Sequence, residues 1–320
     1  MTLIALLSNP LSTGNRQTIS EIRSYCHGHD DILHLEIDGI GEIARSLETI
    51  AGAKPDMLVI NGGDGTVQAV LTHIYNHRPF GKTAPPIAVL PNGKTNLIAQ
   101  DLGMKGSAIS AMDHLMRIAK NNIADHTTHR SLIALSDGHS IDPVLGMFLA
   151  GEGLMDIILF CRRHVYPIGL PDFLSHFVTA IISLVKILIF GRFSKRDKDV
   201  RMQVKGGGIL DGRFHVVLVT TLNNLLLGIR PHSDPNEHRL KLLCIEETRM
   251  ACLRCIIGLL TETIGNESIL GVHVRYCDRI LIEGNQPSVI LDGELVQAAP
   301  NAALQLTSTQ PLAFITTAKK

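Results

Sequence analysis

"VINGGDGTVQAV", residues 59–70, places three glycines and an aspartate between two apolar runs. The run that precedes it, DMLVI, carries its apolar residues consecutively, which is typical of a strand buried on both faces. A helix is predicted to follow, from Thr66 to Asn76. A glycine-rich turn between such a strand and helix brings backbone N–H groups and a helix N-terminus to the carboxyl edge of a sheet. This geometry attracts phosphate.

Inside the turn, glycines permit positive φ and let a bulky anion approach the backbone, while Thr66 can cap the helix or contact a phosphate oxygen. Asp64 is unexpected there, because a carboxylate repels phosphate unless a cation or a proton transfer is involved. Mg²⁺ is the natural mediator. The alternative interpretation is an ordinary tight turn that leads into a capped helix.

Two common nucleotide motifs are excluded. The G-x-G-x-x-G dinucleotide pattern fails because Gln68 stands at the position of its third glycine. Gly93-Lys94-Thr95 resembles the end of a Walker A motif, but Ala88 occupies the position of the leading glycine.

Outward from this segment, short apolar runs alternate with helical patterns up to about residue 130, which favours a largely parallel sheet. Strand-like stretches dominate afterwards, with helices near 170–190 and 248–264. The sequence therefore predicts an α/β N-terminal domain over 1–130 and a mainly antiparallel β-sandwich domain over 131–305. A last strand within about 306–320 is expected to return to the first domain.

Composition narrows the function classes. The chain has 320 residues, and its 30 Lys and Arg balance 30 Asp and Glu, so no basic field indicates a nucleic-acid partner. The six cysteines lack the spacing of a disulfide scaffold, which fits a reducing compartment. Cys252 and Cys255 form one C-x-x-C without further zinc ligands, so we expect buried helix residues there.

Several motifs together resemble the diacylglycerol kinase catalytic-domain family, which includes bacterial diacylglycerol, sphingosine and ceramide kinases. NGGDGT is similar to its nucleotide signature, and SNPLSTGN (8–15) resembles its N-P-x-S-G element with one extra residue. LPNGKTNLIAQDLG (90–103), AGEGLMD (150–156) and LDGELV (291–296) are similar to later family segments. The resemblance spans nearly the whole chain in the same order.

The resemblance implies transfer of the γ-phosphoryl group of ATP to a lipid hydroxyl, with Mg²⁺. One of Asp292 and Glu294 is implied as the base, with Asp64 acting through Mg²⁺. The other interpretation of Asp292-Gly293 is a hairpin turn. The implied nucleotide-binding residues are Asn9, Gly14, Asn61, Gly62, Gly63, Asp64, Gly65, Thr66, Asn92, Lys94, Thr95 and Asn96.

This chain departs from the family at two places. Gly93-Lys94-Thr95-Asn96 stands where G-T-G/A-N is usual, so Lys94 is an additional candidate phosphate contact. Glu237-His238 replaces an Asp-Gly pair of a metal site found in some bacterial family members, so this chain departs from that site and Glu237 is its candidate metal ligand in the second domain.

The partner implied by the resemblance is a membrane lipid: diacylglycerol, monoacylglycerol, ceramide or a sphingoid base. The apolar run at 177–190 is shorter than the ~20 residues of a bilayer span, contains Lys186 and precedes several basic residues. It fits an interfacial element or a core helix equally well. We expect a cytoplasmic protein, peripheral at the inner membrane face, and a homodimer is compatible with the sequence.

Two other functions stay open. NAD kinases also carry G-G-D-G-T before a β-rich domain, although the D-G-E and N-P-x-S-G-like elements disfavour that branch. A non-catalytic module that binds nucleotide or lipid is favoured by the altered PNEHRLKL segment, and disfavoured by retention of Asp64, Asp292 and Glu294.

Overall fold

The computed structural model describes residues 2–93, 96–151, 154, 155, 158, 199–222, 240–261, 263, 264, 268–284 and 286–317. Outside these residues lie Lys94, Thr95, Glu237, the run at 177–190 and the helix expected near 170–190. By its contacts the chain divides into two compact units. Unit 1 contains 1–132, 144–146 and 310–320, and unit 2 contains 133–143 and 147–309.

Unit 1 is built on one sheet whose strands lie in the order β2-β1-β3-β4-β18-β5. All neighbouring pairs are parallel except β18 with β5. The strands are β1 (Ile4–Ser8), β2 (Ile32–Glu36), β3 (Met57–Asn61), β4 (Ile87–Val89), β5 (Thr127–Arg130) and β18 (Leu312–Ile315). The helices are α1 (Asn15–His27), α2 (Ile43–Ala53), α3 (Asp64–His77), α4 (Leu97–Asp101) and α5 (Ala108–Asn121).

The consecutive apolar residues of β1 and β3 explain their central place, because every residue of both strands is buried. Helix α5 was not predicted from the sequence. Its signals are a Ser107 N-cap, whose side chain accepts from the Ser110 amide at 3.2 Å, and apolar residues at helical spacing. Met112, Leu115 and Met116 form part of its buried face.

The terminal strand β18 lies inside this sheet, between β4 and β5. Just after it, the Thr316 hydroxyl and the Thr317 amide both donate to the carbonyl of Leu102, at 3.1 and 2.9 Å. Leu102 directly follows α4. The terminal segment therefore holds the end of α4 in place.

Unit 2 consists mainly of antiparallel strands in two sheets. Its strands lie in the orders β10-β9-β14-β17-β6 and β13-β12-β11-β8-β15-β16. The first sheet uses β6 (Ile133–Ser136), β9 (Val200–Val204), β10 (Gly208–Gly212), β14 (Arg279–Glu283) and β17 (Leu304–Ser308). The second uses β8 (Phe148–Gly151), β11 (Phe214–Thr220), β12 (Leu240–Glu246), β13 (Val272–Cys277), β15 (Ser288–Leu291) and β16 (Glu294–Gln297). The short strand β7 (Val144–Gly146) lies in unit 1.

One helix of unit 2, α6 (Arg249–Leu260), packs its buried residues Ala251 and Cys255 against Ile245 and Val272. Burial raises the pKa of the Cys255 thiol to about 11, so the thiol is protonated near neutral pH. The C-x-x-C is therefore part of a helix, with one cysteine in the core.

The fold class expected from the sequence is confirmed: an α/β unit with a largely parallel sheet precedes a unit of antiparallel strands. Within the described ranges, no helix combines the length and apolar character needed to cross a bilayer.

Candidate functional site

The candidate site in unit 1 lies where the order of its sheet reverses. After β1 the chain moves to β2 on one side, and it then returns to β3 on the other side of β1. The loops that leave β1 and β3 therefore diverge at the carboxyl edge. In open α/β sheets, such a switch point forms the crevice in which ligands bind.

The glycine-rich turn differs from the expectation in two details. None of Gly62, Gly63 and Gly65 has a positive φ, so the left-handed freedom of glycine is not used there. Gly62 is instead required for steric reasons, because a Cβ on it would lie 2.7 Å from the Cβ of Thr66. Helix α3 begins at Asp64, two residues earlier than predicted, with Gly63 as its N-cap.

Thr66 consequently lies inside the first turn of α3 and does not cap it. The residue is buried, and its hydroxyl oxygen accepts a hydrogen bond from Asn9 Nδ2 at 2.8 Å. Thr66 thus links the start of α3 to the loop that follows β1. Asp64, at the first helical position, faces the favourable end of the helix dipole for a carboxylate.

Four buried asparagines connect the three loops after β1, β3 and β4. Asn15 Nδ2 donates to the backbone carbonyls of Asn9 and Asn61, at 2.8 and 2.9 Å. Asn92 Nδ2 donates to the side-chain oxygens of Asn15 and Asn61, at 2.7 and 2.8 Å. Asn15 and Asn61 have no exposed surface, and Asn9 and Asn92 have less than a tenth. We call these four residues the asparagine network.

Further hydrogen bonds extend the asparagine network to side chains of β1 and β2. Asn61 Nδ2 donates to Ser8 Oγ at 3.0 Å, and Ser8 Oγ is 2.9 Å from His34 Nε2. Burial lowers the pKa of His34, partly offset by Glu36, so the neutral imidazole is favoured near neutral pH. A polar chain thus runs from β2 through β1 to the glycine-rich turn.

Sequence reasoning selected Asn9, Asn61 and Asn92 as nucleotide ligands but missed Asn15. In the structure, the side chains of Asn15, Asn61 and Asn92 bond to one another or to loop carbonyls, and the Asn9 side chain bonds to the Thr66 hydroxyl and the Leu11 amide. They hold the loops rather than presenting free amides at the surface. The available signal for Asn15 was a polar residue directly after Gly14, at the start of a helix.

Gly14 has a strict steric role. A Cβ built on it would lie 2.0 Å from the backbone carbonyl oxygen of Asn92, a distance that no side chain can accept. The loops after β1 and β4 therefore touch through their backbones at this point.

The loop after β4 also approaches Asp64. Asn96 Oδ1 accepts from the Gly93 amide at 2.6 Å, and a Cβ on Gly93 would lie 3.4 Å from Asp64 Oδ1. Asn96 itself has a left-handed backbone, with φ of 50°. A side chain at position 93 would therefore contact the Asp64 carboxylate.

Ser12 Oγ, near the glycine-rich turn, has no hydrogen-bond partner among the residues that the structure describes. Ser12 Oγ is buried, and its Cβ lies 3.8 Å from the position of a Cβ on Gly63. A buried hydroxyl without a partner is costly, so it indicates a group that the site is built to receive. Ser12 lies within the SNPLSTGN motif but is not among the site residues predicted from the sequence.

A buried ion pair links β5 to α4, the helix that follows the loop after β4. Arg130 Nη2 on β5 lies 3.7 Å from Asp101 Oδ2 at the end of α4, and both side chains are largely buried. Together with the Leu102 carbonyl contacts, this pair fixes the short helix that follows Gly93 and Asn96.

The second candidate region lies within unit 2, around Asp292. Asp292 Oδ1 accepts from the Phe148 amide at 2.9 Å, and Oδ2 accepts from the Met147 amide at 3.0 Å. The Met147 carbonyl in turn accepts from the Thr220 hydroxyl at 2.9 Å. Two backbone donors therefore fix the direction of this carboxylate.

Asp292 and Gly293 form the two-residue turn between β15 and β16, with φ of 45° and 100°. The hairpin turn considered for Asp292-Gly293 is therefore present, and Asp292 and Glu294 do not lie on one strand. Positive φ at both positions is typical of an Asp-Gly hairpin. Glu294 begins β16 and is exposed.

The candidate site has the type of ligand that Mg²⁺ requires, a carboxylate near the proposed phosphate position. Among the described residues, no group of three or more His, Cys, Asp or Glu side chains is arranged to hold a metal ion. Mg²⁺, however, is usually held by one or two carboxylates together with substrate phosphates. The carboxylate of Asp64, at the first position of α3, is of the type that such a site uses.

Residues 4–125 match the family model of the diacylglycerol kinase catalytic domain. No curated protein matches the chain. A solved structure of a presumed diacylglycerol kinase from Bacillus anthracis str. Sterne is similar over 98% of this chain and 96% of its own, with a TM-score of 0.67 and 15% identity. Another, of a diacylglycerol kinase from the same organism, gives a TM-score of 0.62 at 15% identity, covering 98% of this chain and 96% of its own.

A third structure, yeast NADH kinase in complex with NADH, covers 100% of this chain and 84% of its own, with a TM-score of 0.53 and 9% identity. At such identities these structures show the shared fold. The resemblance to the diacylglycerol kinase family is confirmed by the match over residues 4–125, which supports a kinase.

The asparagine network predicts a stability effect. Asn15→Ala removes three buried hydrogen bonds, to the carbonyls of Asn9 and Asn61 and from the Asn92 amide, and each contributes about 0.5–1.5 kcal/mol. We expect a clearly lower free energy of unfolding, measured by urea denaturation. Asn121→Ala, at the exposed end of α5, is the matched control and should change stability little. Equal stability of the two variants would contradict a structural role for the network.

Proposed function

We propose that the protein is an ATP-dependent lipid kinase that transfers the γ-phosphoryl group to a lipid hydroxyl. The observation that carries this proposal is the convergence of three loops at the switch point, with Asp64 opening α3 beside Gly93. Phosphoryl transfer is catalysed mainly by positioning and charge neutralisation, and a rigid, backbone-rich cradle supplies both.

The phosphates would be held by the turn at Gly62, Gly63 and Gly65 and by the N-terminus of α3. The hydroxyl of Ser12 is the side-chain donor best suited to a phosphate oxygen, because it is buried, unpartnered and near Gly63. Lys94 and Thr95 remain proposed contacts from the sequence.

Asp64 would hold Mg²⁺ together with the phosphates. When bound, the ion neutralises the charge that develops between the β- and γ-phosphates. The Asp64 carboxylate, at the start of α3 and next to Gly93, would supply the protein oxygen ligand. Glu237 remains a proposed metal ligand from the sequence alone.

Asp292 is the better candidate for the general base. A base must be held in one direction and must keep an oxygen lone pair for the incoming proton. The amides of Met147 and Phe148 orient the Asp292 carboxylate, whereas Glu294 is exposed at the start of a strand. We therefore propose that Asp292 accepts the proton of the lipid hydroxyl as it attacks.

A lipid acceptor is favoured over NADH by the match of residues 4–125 to the diacylglycerol kinase catalytic domain. The similarity to yeast NADH kinase supports an NAD kinase-like activity as the second candidate. A lipid kinase would act at the cytoplasmic face of a membrane, where ATP and the acceptor meet.

The acceptor class can be tested directly. Purified protein, labelled ATP and Mg²⁺ are mixed with diacylglycerol, monoacylglycerol, ceramide, a sphingoid base or NAD, and the labelled product is identified. We expect label on one lipid class, and about 10²-fold or greater loss with Asp64→Asn because a charge-stabilising group is removed. Label on NAD alone would replace the proposal with the second candidate.

Ser12→Ala separates a ligand contact from a structural residue. Loss of a hydrogen bond to a charged phosphate should weaken ATP binding by about tenfold. Stability should not fall, because the hydroxyl has no hydrogen-bond partner among the described residues to lose. Thr13→Ala, at an exposed neighbouring residue, is the control for ATP titrations and thermal unfolding. Unchanged ATP affinity would show that Ser12 does not contact the nucleotide.

The two carboxylates of the Asp-Gly-Glu segment should differ in effect. Asp292→Asn keeps the turn, since Asn tolerates positive φ, but loses the base, so kcat should fall by about 10²-fold or more. Glu294→Gln should cause the smaller loss. The KM for ATP should change little in both variants if their defect is confined to the chemical step. Near wild-type rates for Asp292→Asn would show that Asp292 is not the base, and Glu294 and Asp64 would then be the next candidates.

A further inference from the structure

Helix α6 carries an apolar stripe on its exposed side. Met250, Leu253 and Ile257 are 54%, 41% and 52% exposed, and their spacing of three and four residues places them on one face. Leu270 extends this face, being 75% exposed, and its carbonyl accepts from Arg254 Nη1 at 3.3 Å. We call these four residues the α6 stripe.

The helix is attached to unit 2 by its other side. Ala251 and Cys255 pack in the core cluster with Ile245 and Val272. Gly258 also lies close to the protein, because a Cβ on it would be 2.7 Å from Ile269. The α6 stripe is therefore directed away from the core of unit 2, and its exposure is not a consequence of a loosely held helix.

Charged residues border the stripe on both sides. At 3.6 residues per turn, Arg249 and Arg254 fall on opposite edges of the face that contains Met250, Leu253 and Ile257. The helix has two arginines and no carboxylate along its length. The preceding Glu246 is paired with His273, whose Nε2 lies 2.9 Å from Glu246 Oε1.

We propose that the α6 stripe docks this protein on an anionic lipid bilayer. Apolar side chains next to a cationic residue suit the headgroup boundary, because the stripe enters the acyl region while Arg254 reaches a lipid phosphate. A second copy fits less well, since a two-fold contact across this face would bring arginines of both copies together without carboxylates from the helix. The choice of a bilayer rests on the proposed lipid acceptor.

The test measures vesicle binding by the full chain without ATP. Vesicles of phosphatidylcholine mixed with phosphatidylglycerol should bind the protein, and vesicles of phosphatidylcholine alone should bind it more weakly. Ile257→Gln should lower affinity for the mixed vesicles by about tenfold, because a buried apolar side chain is lost from the contact. Arg254→Gln should lower it by about fivefold, with a smaller salt dependence.

Ile209→Gln is the matched control, since Ile209 on β10 is 56% exposed and lies outside α6. It should bind vesicles as the unchanged protein does. Thermal unfolding should be similar for both isoleucine variants, and Met250→Gln is a second stripe variant should Ile257→Gln unfold. Absence of vesicle binding by the unchanged protein, or equal binding by the Ile257 and Ile209 variants, would overturn the proposal.

Two further measurements distinguish the other outcomes. If Ile257→Gln breaks a dimer in light scattering and leaves vesicle binding unchanged, the stripe joins two copies and the proposal is wrong. Phosphoryl transfer to a short-chain acceptor dispersed in detergent should be the same for Ile257→Gln and the unchanged protein. If no acceptor is phosphorylated but vesicle binding depends on Ile257, the proposed activity fails while the docking surface stands.

Discussion

The hydrogen bonds of Asn15 are the constraint on which the candidate nucleotide site depends. One buried side chain joins the carbonyls after β1 and β3, and its oxygen receives the amide of Asn92 after β4. Loops rich in glycine have few side chains with which to hold themselves. The network supplies that rigidity, and a preorganised cradle needs it because its backbone donors must already point at the charge they stabilise.

Local sequence patterns predict the strand, turn and helix that form this site. They do not predict which of its residues bind a ligand and which hold the loops together. The buried strand β3, the glycine turn and α3 follow from consecutive apolar residues and helical spacing. Whether Asn92 contacts a ligand or another loop depends on residues distant in sequence, so its position after β4 could not decide it. The same holds for Gly62, whose requirement for space comes from Thr66 one helical turn away.

In unit 2, the hairpin and functional interpretations of Asp292 turned out to be compatible. The Asp-Gly turn is a local signal, and the backbone has the positive φ that it predicts. The contacts with Met147 and Phe148 come from a strand far away in the chain, and no spacing rule could reveal them. Backbone N–H donors from a distant part of the chain can thus fix the carboxylate of a turn residue.

The position of β18 has a consequence for biosynthesis. Because β18 lies between β4 and β5, the sheet of unit 1 has a gap in its interior until residues 312–315 have left the ribosome. All of unit 2 is translated before that moment. The first unit to be started is therefore the last to be completed, and a nascent chain stalled before β18 would expose unpaired backbone on β4 and β5 to other chains.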